Sequence, residues 1–300
     1  MSTLWTGCGT ALVTPFTRDG ALDERAVRQL ARRQIDAGIH FLVPCGTTGE
    51  SPTLSDDEKV RVVEVVVEAA EARVPVLAGA GGYDTREVIA SALRMKRAGA
   101  SGILSVTPYY NRPTQEGLFQ HYSAIAGEVG LPIVVYNVPG RTGCNVEVST
   151  LVRLSAVPGI VAVKEASGNM SQICAVCSAV PPDFIVLSGD DALTLPTMAV
   201  GGHGIISVAS NEVPAEMARM VVAAAGADFA TARRLHAQLF PLMQVNFIES
   251  SPGPVKCAMA AMGLLEEAYR LPMVPVADAS RARIRAVLES MHLLAEAAAR

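Results

Sequence analysis

The chain is short of aromatic residues, of charge and, within its charge, of lysine. Aromatics make up 5% of its 300 residues and charged residues 18%, against roughly 25% charged in an average domain. So small a charge fraction, beside 50% hydrophobic residues, excludes an intrinsically disordered chain. With few aromatics the core must be aliphatic, as in parallel sheets covered by helices. There is no basic excess either: 25 Lys and Arg against 29 Asp and Glu leave a net charge of −4. That removes a protein that tracks nucleic-acid phosphates. No apolar run reaches the ~18–20 residues of a membrane span; Glu64, for example, breaks the valine run 62–67. Residues 1–16 lack a basic segment followed by an apolar one, so no secretory leader is expected and the cytoplasm is the default compartment. The five histidines form no H-x-x-H or H-E-x-x-H pattern, Walker and dinucleotide glycine patterns are missing, and neither metal nor cofactor is expected. Cys174 and Cys177 form a C-x-x-C with no second half of a zinc site, inside a helical pattern, and are expected to be buried, reduced core thiols.

What is present is an alternation. Short apolar runs begin near Gly9, His40, Pro75, Gly102, Pro132, Ile160, Phe184 and Gly204. They recur roughly every 28 residues, a spacing that suits one strand plus one helix. Helix-start signals fall between them: Asp23 before 24–37, a capping box at Ser55–Glu58 before 60–72, and the same pattern at Asp84–Glu87. Gly38, Gly99 and Gly130 are placed to end three helices. Eight such units predict an α/β fold, a closed (β/α)8 TIM barrel, rather than an open doubly wound sheet. Beyond Gly226 the strand pattern stops, and 228–246, 254–268 and 279–298 read as helices. The expected division is therefore a barrel over 1–226 carrying the active site and a C-terminal helical region over 227–300.

A barrel does its chemistry where strands end, and the polar motifs of this chain gather there. They are Gly46-Thr47-Thr48-Gly49-Glu50, the run Thr107–Pro113, the run Tyr136–Gly143, Lys164–Asn169 and Ser188-Gly189-Asp190-Asp191. Lysine usage sharpens the picture. Only Lys59, Lys96, Lys164 and Lys256 are present, against 21 arginines. The first two fall on surface helices and Lys256 follows a proline-rich break, so all three are expected to be solvated or snorkelling. Lys164 instead ends the apolar strand Ile160–Val163, where its side chain should enter an apolar barrel. Burial favours a neutral amine over an ammonium, and a neutral lysine attacks carbonyl carbon, which arginine does not do. The structural alternative is an ion pair of Lys164 with Glu50 or Asp190. Tyr136, one strand away, could move protons. Thr47 and Thr48 offer donors to one carboxylate, and Arg141 offers a bidentate fork to another.

These motifs, followed by Pro254-Val255-Lys256, resemble the dihydrodipicolinate synthase / N-acetylneuraminate lyase family, in order from about residue 5 to Lys256. The resemblance implies that Lys164 forms a Schiff base with pyruvate and that Tyr136 donates and accepts protons. The relay would run through Thr47 and through Tyr110 from a neighbouring subunit. Thr48, Gly189 and Ile206 would contact pyruvate, and Arg141 would hold the carboxylate of the second substrate. Thr47-Thr48 with Arg141 looks like the synthase branch, which condenses pyruvate with aspartate semialdehyde. Two alternatives stay open. One is a family aldolase acting on a 2-keto-3-deoxy sugar acid or 4-hydroxy-2-oxoglutarate; the other is a catalytically silent pyruvate-binding homologue. The resemblance also implies a homotetramer built from two dimers. Some members are inhibited by lysine at a subunit interface, which here would involve Ser51, Pro52, Asp56, Lys59, Tyr83, Glu87 and Tyr109. Tyr83 and Lys59 depart from the pattern of sensitive members, so weak or absent inhibition is expected.

Overall fold

Eight of the short apolar runs become strands that hydrogen-bond side by side, all parallel. A computed structural model describes residues 3–294. In it the strands are β1 (Gly7–Ala11), β2 (Phe41–Val43), β3 (Leu77–Gly79), β4 (Gly102–Val106), β5 (Ile133–Asn137), β6 (Ile160–Glu165), β7 (Ile185–Ser188) and β8 (Gly204–Ser207). Their spatial order is β2-β1-β8-β7-β6-β5-β4-β3. A parallel bridge between Leu42 and Val76 joins the two ends of that series, and Gly79 N donates to Pro44 O at 2.9 Å. The sheet is thus a closed barrel, as expected.

Helices alternate with the strands: α1 (Glu24–Asp36), α2 (Asp56–Ala70), α3 (Thr85–Arg97), α4 (Gln115–Val129), α5 (Pro139–Thr142), α6 (Val148–Ser155), α7 (Met170–Ala179), α8 (Thr194–Ala199) and α9 (Pro214–Ala225). Three more follow the barrel: α10 (Phe229–Val245), α11 (Gly253–Ala261) and α12 (Asp278–Ser290). The expected extension of the last helix to residue 298 falls partly outside the described residues. Asp23 accepts from Ala26 N to start α1. At α2 the capping box is complete, Ser55 and Glu58 each satisfying the other's backbone N–H. The second expected box is only half there: Asp84 caps Arg86 N, and no reciprocal bond from Glu87 is made. The helix expected to reach residue 268 stops at Ala261, because Gly263 turns the chain with φ +73°. That frees residues 264–276 to run as irregular chain back over the barrel.

Strand parity decides what faces inward. Val134, Tyr136, Ala162, Ile185, Leu187 and Ile206 belong to one apolar cluster, the barrel interior. Their neighbours Ile133, Val135, Val163, Val186 and Ile205 belong to another, between strands and helices. Lys164 is two residues beyond Ala162 and so shares its inward face. The Cys174/Cys177 expectation needs correction: both thiols are free but only half-buried. On α7 the buried positions are Ile173 and Val176, and each cysteine follows one of them, about 100° further round the helix.

Candidate active site

The cavity at the carboxyl end of the barrel has a volume of about 320 Å3, and Cys45, Thr47, Lys59, Tyr109, Tyr136 and Arg141 are among the residues lining it. Tyr136 and Lys164 are the next-to-last residues of β5 and β6, in direct register. Both are nearly inaccessible, at 6% and 5% exposure. Lys164 is not itself among the lining residues; its Nζ lies 4.2 Å from the centroid of the Tyr136 ring, which is. Among the described residues the Lys164 side chain makes no hydrogen bond or ion pair. The two carboxylates that could have neutralised it are otherwise engaged: Glu50 is held by Lys256 at 2.6 Å, and Asp190 caps Ala192 N at 2.9 Å. A buried lysine is therefore left beside a phenol.

Gly189 packs against the Lys164 stem, and a Cβ there would lie 3.0 Å from Lys164 Cε and 2.6 Å from Ala166 Cβ. Ile206 is fully buried in the barrel interior, and Thr48 is buried close to the mouth of β2. Thr47 lines the cavity, but in the single chain no hydrogen bond joins it to Tyr136. Arg141, on the short helix α5, has an exposed side chain whose contact is Nη2 to Ser251 O at 3.5 Å, so its fork is open to a ligand. Tyr110 stays outside: it is 91% exposed, with φ +68°, a strained conformation for a residue with a Cβ. Cys45 also lines the wall, but burial pushes its thiol up to about 12, so it is not a thiolate at neutral pH. Among the described residues no three His, Cys, Asp or Glu converge as a metal site.

Around these groups lies a frame that carries no chemistry of its own. Asn137 Nδ2 donates to Glu165 Oε2 at 2.9 Å, and Ser167 N donates to Glu165 Oε1 at 2.7 Å. Thus β5 and β6 are locked at the level of Tyr136 and Lys164. Asp191 does not face the cavity. It accepts from Ser207 Oγ, Val208 N and Ala209 N, while burial pushes its carboxyl up.

The largest departure from expectation is Lys256. It is completely buried rather than solvated. Besides Glu50, its Nζ donates to Thr14 O at 3.1 Å and sits 4.4 Å from the Phe16 ring centroid. Desolvation holds its pKa below the usual lysine value, with the Glu50 carboxylate opposing. The signal that could have found it was present: in an arginine-rich chain, an apolar Pro-Val-Lys-Cys-Ala context argues for a buried lysine here as much as at Lys164.

Fold and site together define the class: a (β/α)8 barrel whose carboxyl-end cavity is built beside a buried, unpaired lysine and a tyrosine. Residues 5–291 match the Dihydrodipicolinate synthetase family, and the chain belongs to that family. It is 54% identical to a 4-hydroxy-tetrahydrodipicolinate synthase of Koribacter versatilis, over 97% of both chains. It is 51% identical to a protein of the same name from Acidobacterium capsulatum, again over 97% of each. The crystal structure of dihydrodipicolinate synthase from Aquifex aeolicus superposes with a TM-score of 0.95 at 41% identity, covering 98% of this chain and all of that one.

Proposed function

We propose that the protein condenses pyruvate with aspartate semialdehyde to 4-hydroxy-tetrahydrodipicolinate, a step of diaminopimelate and lysine biosynthesis. The observation that carries this is Lys164, buried without a counter-ion in register with Tyr136. Its Nζ adds to the C2 carbonyl of pyruvate, and loss of water leaves an iminium. The iminium nitrogen withdraws electrons, so C3 gives up a proton and an enamine forms. Tyr136 moves the protons of these steps, with Thr47 beside it in the cavity wall. The enamine carbon attacks the aldehyde, and the amine of that substrate then displaces Lys164 as the ring closes. Thr48, Gly189 and Ile206 surround the pyruvate moiety, and Arg141 holds the aldehyde substrate's carboxylate. No cofactor or metal is needed for this sequence. The test is turnover with pyruvate and aspartate semialdehyde, together with borohydride trapping of pyruvate on Lys164. Failure of both would overturn the reading.

In this scheme Arg141→Ala weakens one substrate only. Losing a charge-assisted fork costs on the order of 1.5–3 kcal/mol. The apparent KM for aspartate semialdehyde should rise about ten- to a hundredfold while that for pyruvate stays within threefold. Steady-state kinetics with each substrate varied in turn checks it, and equal effects would move Arg141 out of the aldehyde site.

Tyr110, exposed and strained on the single chain, supports a dimer in which it enters the neighbour's site, and a homotetramer of two such dimers. Sedimentation at assay concentration tests this; a fully active monomer contradicts it. The barrel, residues 1–226, would carry the chemistry, with 227–300 as an appended helical region. The six free cysteines support the cytoplasm as its compartment. Among the described residues no helix is long and apolar enough to cross a membrane.

Lysine should inhibit weakly or not at all. A second cavity of about 430 Å3 includes Asp56, Lys59, Tyr83, Glu87, Arg94 and Tyr109 in its lining. Tyr83 fills part of it, its ring 5.3 Å from that of Tyr109 in an edge-to-face pair. Lys59 is paired with Asp56 at 3.2 Å, which spends a carboxylate an ammonium ligand would need. A turnover assay with lysine titrated to millimolar levels checks this. Half-inhibition below about 1 mM, an affinity of roughly 4 kcal/mol, would refute it.

A further inference from the structure

The loop from Cys45 to Glu50 carries Thr47 and Thr48, and both of its ends are strained. Cys45 has φ +57° and Glu50 φ +52°, left-handed conformations that cost a residue with a Cβ about 1–2 kcal/mol each. Strained backbone persists only where surrounding contacts over-determine it. The strands on either side supply part of that. Thr14 Oγ1 donates to Gly49 O at 2.7 Å. The chain also passes so close to β3 that a Cβ at Gly79 would fall 2.1 Å from Cys45 O.

The remainder comes from the other end of the chain. Lys256, on α11, bonds Glu50 Oε1 and Thr14 O at once, joining the loops that follow β1 and β2 through a single ammonium. Arg270, on the irregular chain that follows α11, donates from Nη1 to Thr53 O at 3.0 Å and grips both oxygens of Glu58 at 2.8 and 2.6 Å. The two cations approach the same Phe16 ring, at 4.4 and 4.3 Å. One side chain therefore holds the loop where it ends and the other holds the turn that follows it. The buried pair is also a poor choice for stability alone. Glu50 Oε2 is buried without a partner, and a well-packed neutral pair of similar volume is often at least as stable as a buried ion pair.

We propose that Lys256 and Arg270 are positioning residues for the pyruvate end of the active site: they hold the strained loop that sets Thr47 in the cavity wall and Thr48 buried beside it. The C-terminal helical region thereby completes a site whose reacting groups all lie on the barrel. This rests on the reading of Lys164, Thr47 and Thr48 given above.

The experiment compares the parent with Lys256→Met/Glu50→Gln, which removes both charges together and leaves no unpaired ion. Melting temperature, borohydride trapping of pyruvate and steady-state kinetics are measured on each. Misplacement of a binding group by about 1 Å costs on the order of a hundredfold. The double variant should melt near the parent while its trapping rate and kcat/KM for pyruvate fall about a hundredfold. The KM for the aldehyde should be unchanged. A folded double variant that traps pyruvate within threefold of the parent overturns the proposal, since a merely structural pair would alter melting and spare the rate. Should the double variant fail to fold, Arg270→Met decides, because that guanidinium is partly solvent-exposed. A five- to tenfold loss of the same quantity supports the proposal, and a change under twofold overturns it. A parent that forms no adduct at all brings down the reading of Lys164 first, and the proposal with it.

Discussion

Lys164→Arg abolishes turnover and leaves the fold standing. Arginine keeps the positive charge and most of the stem, so packing against Gly189 and the Tyr136 ring changes little. A guanidinium stays protonated and adds to no ketone, so the iminium never forms and C3 of pyruvate keeps its protons. Loss of the nucleophile from a catalytic unit costs about a thousandfold or more. Turnover of the variant, with its melting temperature as the control, provides the measurement. Borohydride should then trap nothing, and activity within tenfold of the parent would defeat the Schiff-base assignment.

Tyr136→Phe is the second large effect, and it separates proton transfer from nucleophilic attack. The ring remains, so Lys164 Nζ keeps its aromatic neighbour at 4.2 Å and the barrel interior keeps its volume. The phenol hydroxyl makes no hydrogen bond within the described chain, so its removal should shift melting by no more than a degree or two. What goes is a proton donor and acceptor at the reacting carbons, worth roughly 10²–10⁴-fold. The expected result is kcat lower by that factor, with pyruvate still trapped by borohydride, though more slowly. A kcat within threefold of the parent would assign the proton transfers to another group.

Both effects rest on residues that local pattern could locate. A strand has a period of two, so once Ala162 is known to face inward Lys164 must as well, whatever the rest of the chain does. Equally local are the turn motifs after β2, β4, β5, β6 and β7, since a parallel barrel puts every strand end on one rim. The side-chain caps at Asp23 and Ser55 are short-range bonds, and the sequence located them correctly. Boundaries fared worse where one backbone angle decided them, as at Gly263, which ends α11 seven residues early and so releases Arg270 toward Glu58.

Distance along the chain marks where the sequence stopped speaking. Eight strands in parallel order, an inward Lys164 and a polar rim were determined by the residues themselves, because periodicity and caps act over a few positions. The partner of Glu50 was not. It lies 206 residues away, and nothing near Lys256 states which carboxylate it will meet. Only closure of the barrel, with α11 packed behind it, brings the two together and removes both from water. In that same closed barrel Glu50 is committed to Lys256 and Asp190 to a cap, and Lys164 is left unpaired. The sequence supplied the lysine and the tertiary structure decided its lack of a counter-ion, because charges pair by proximity in space and not by order along the chain.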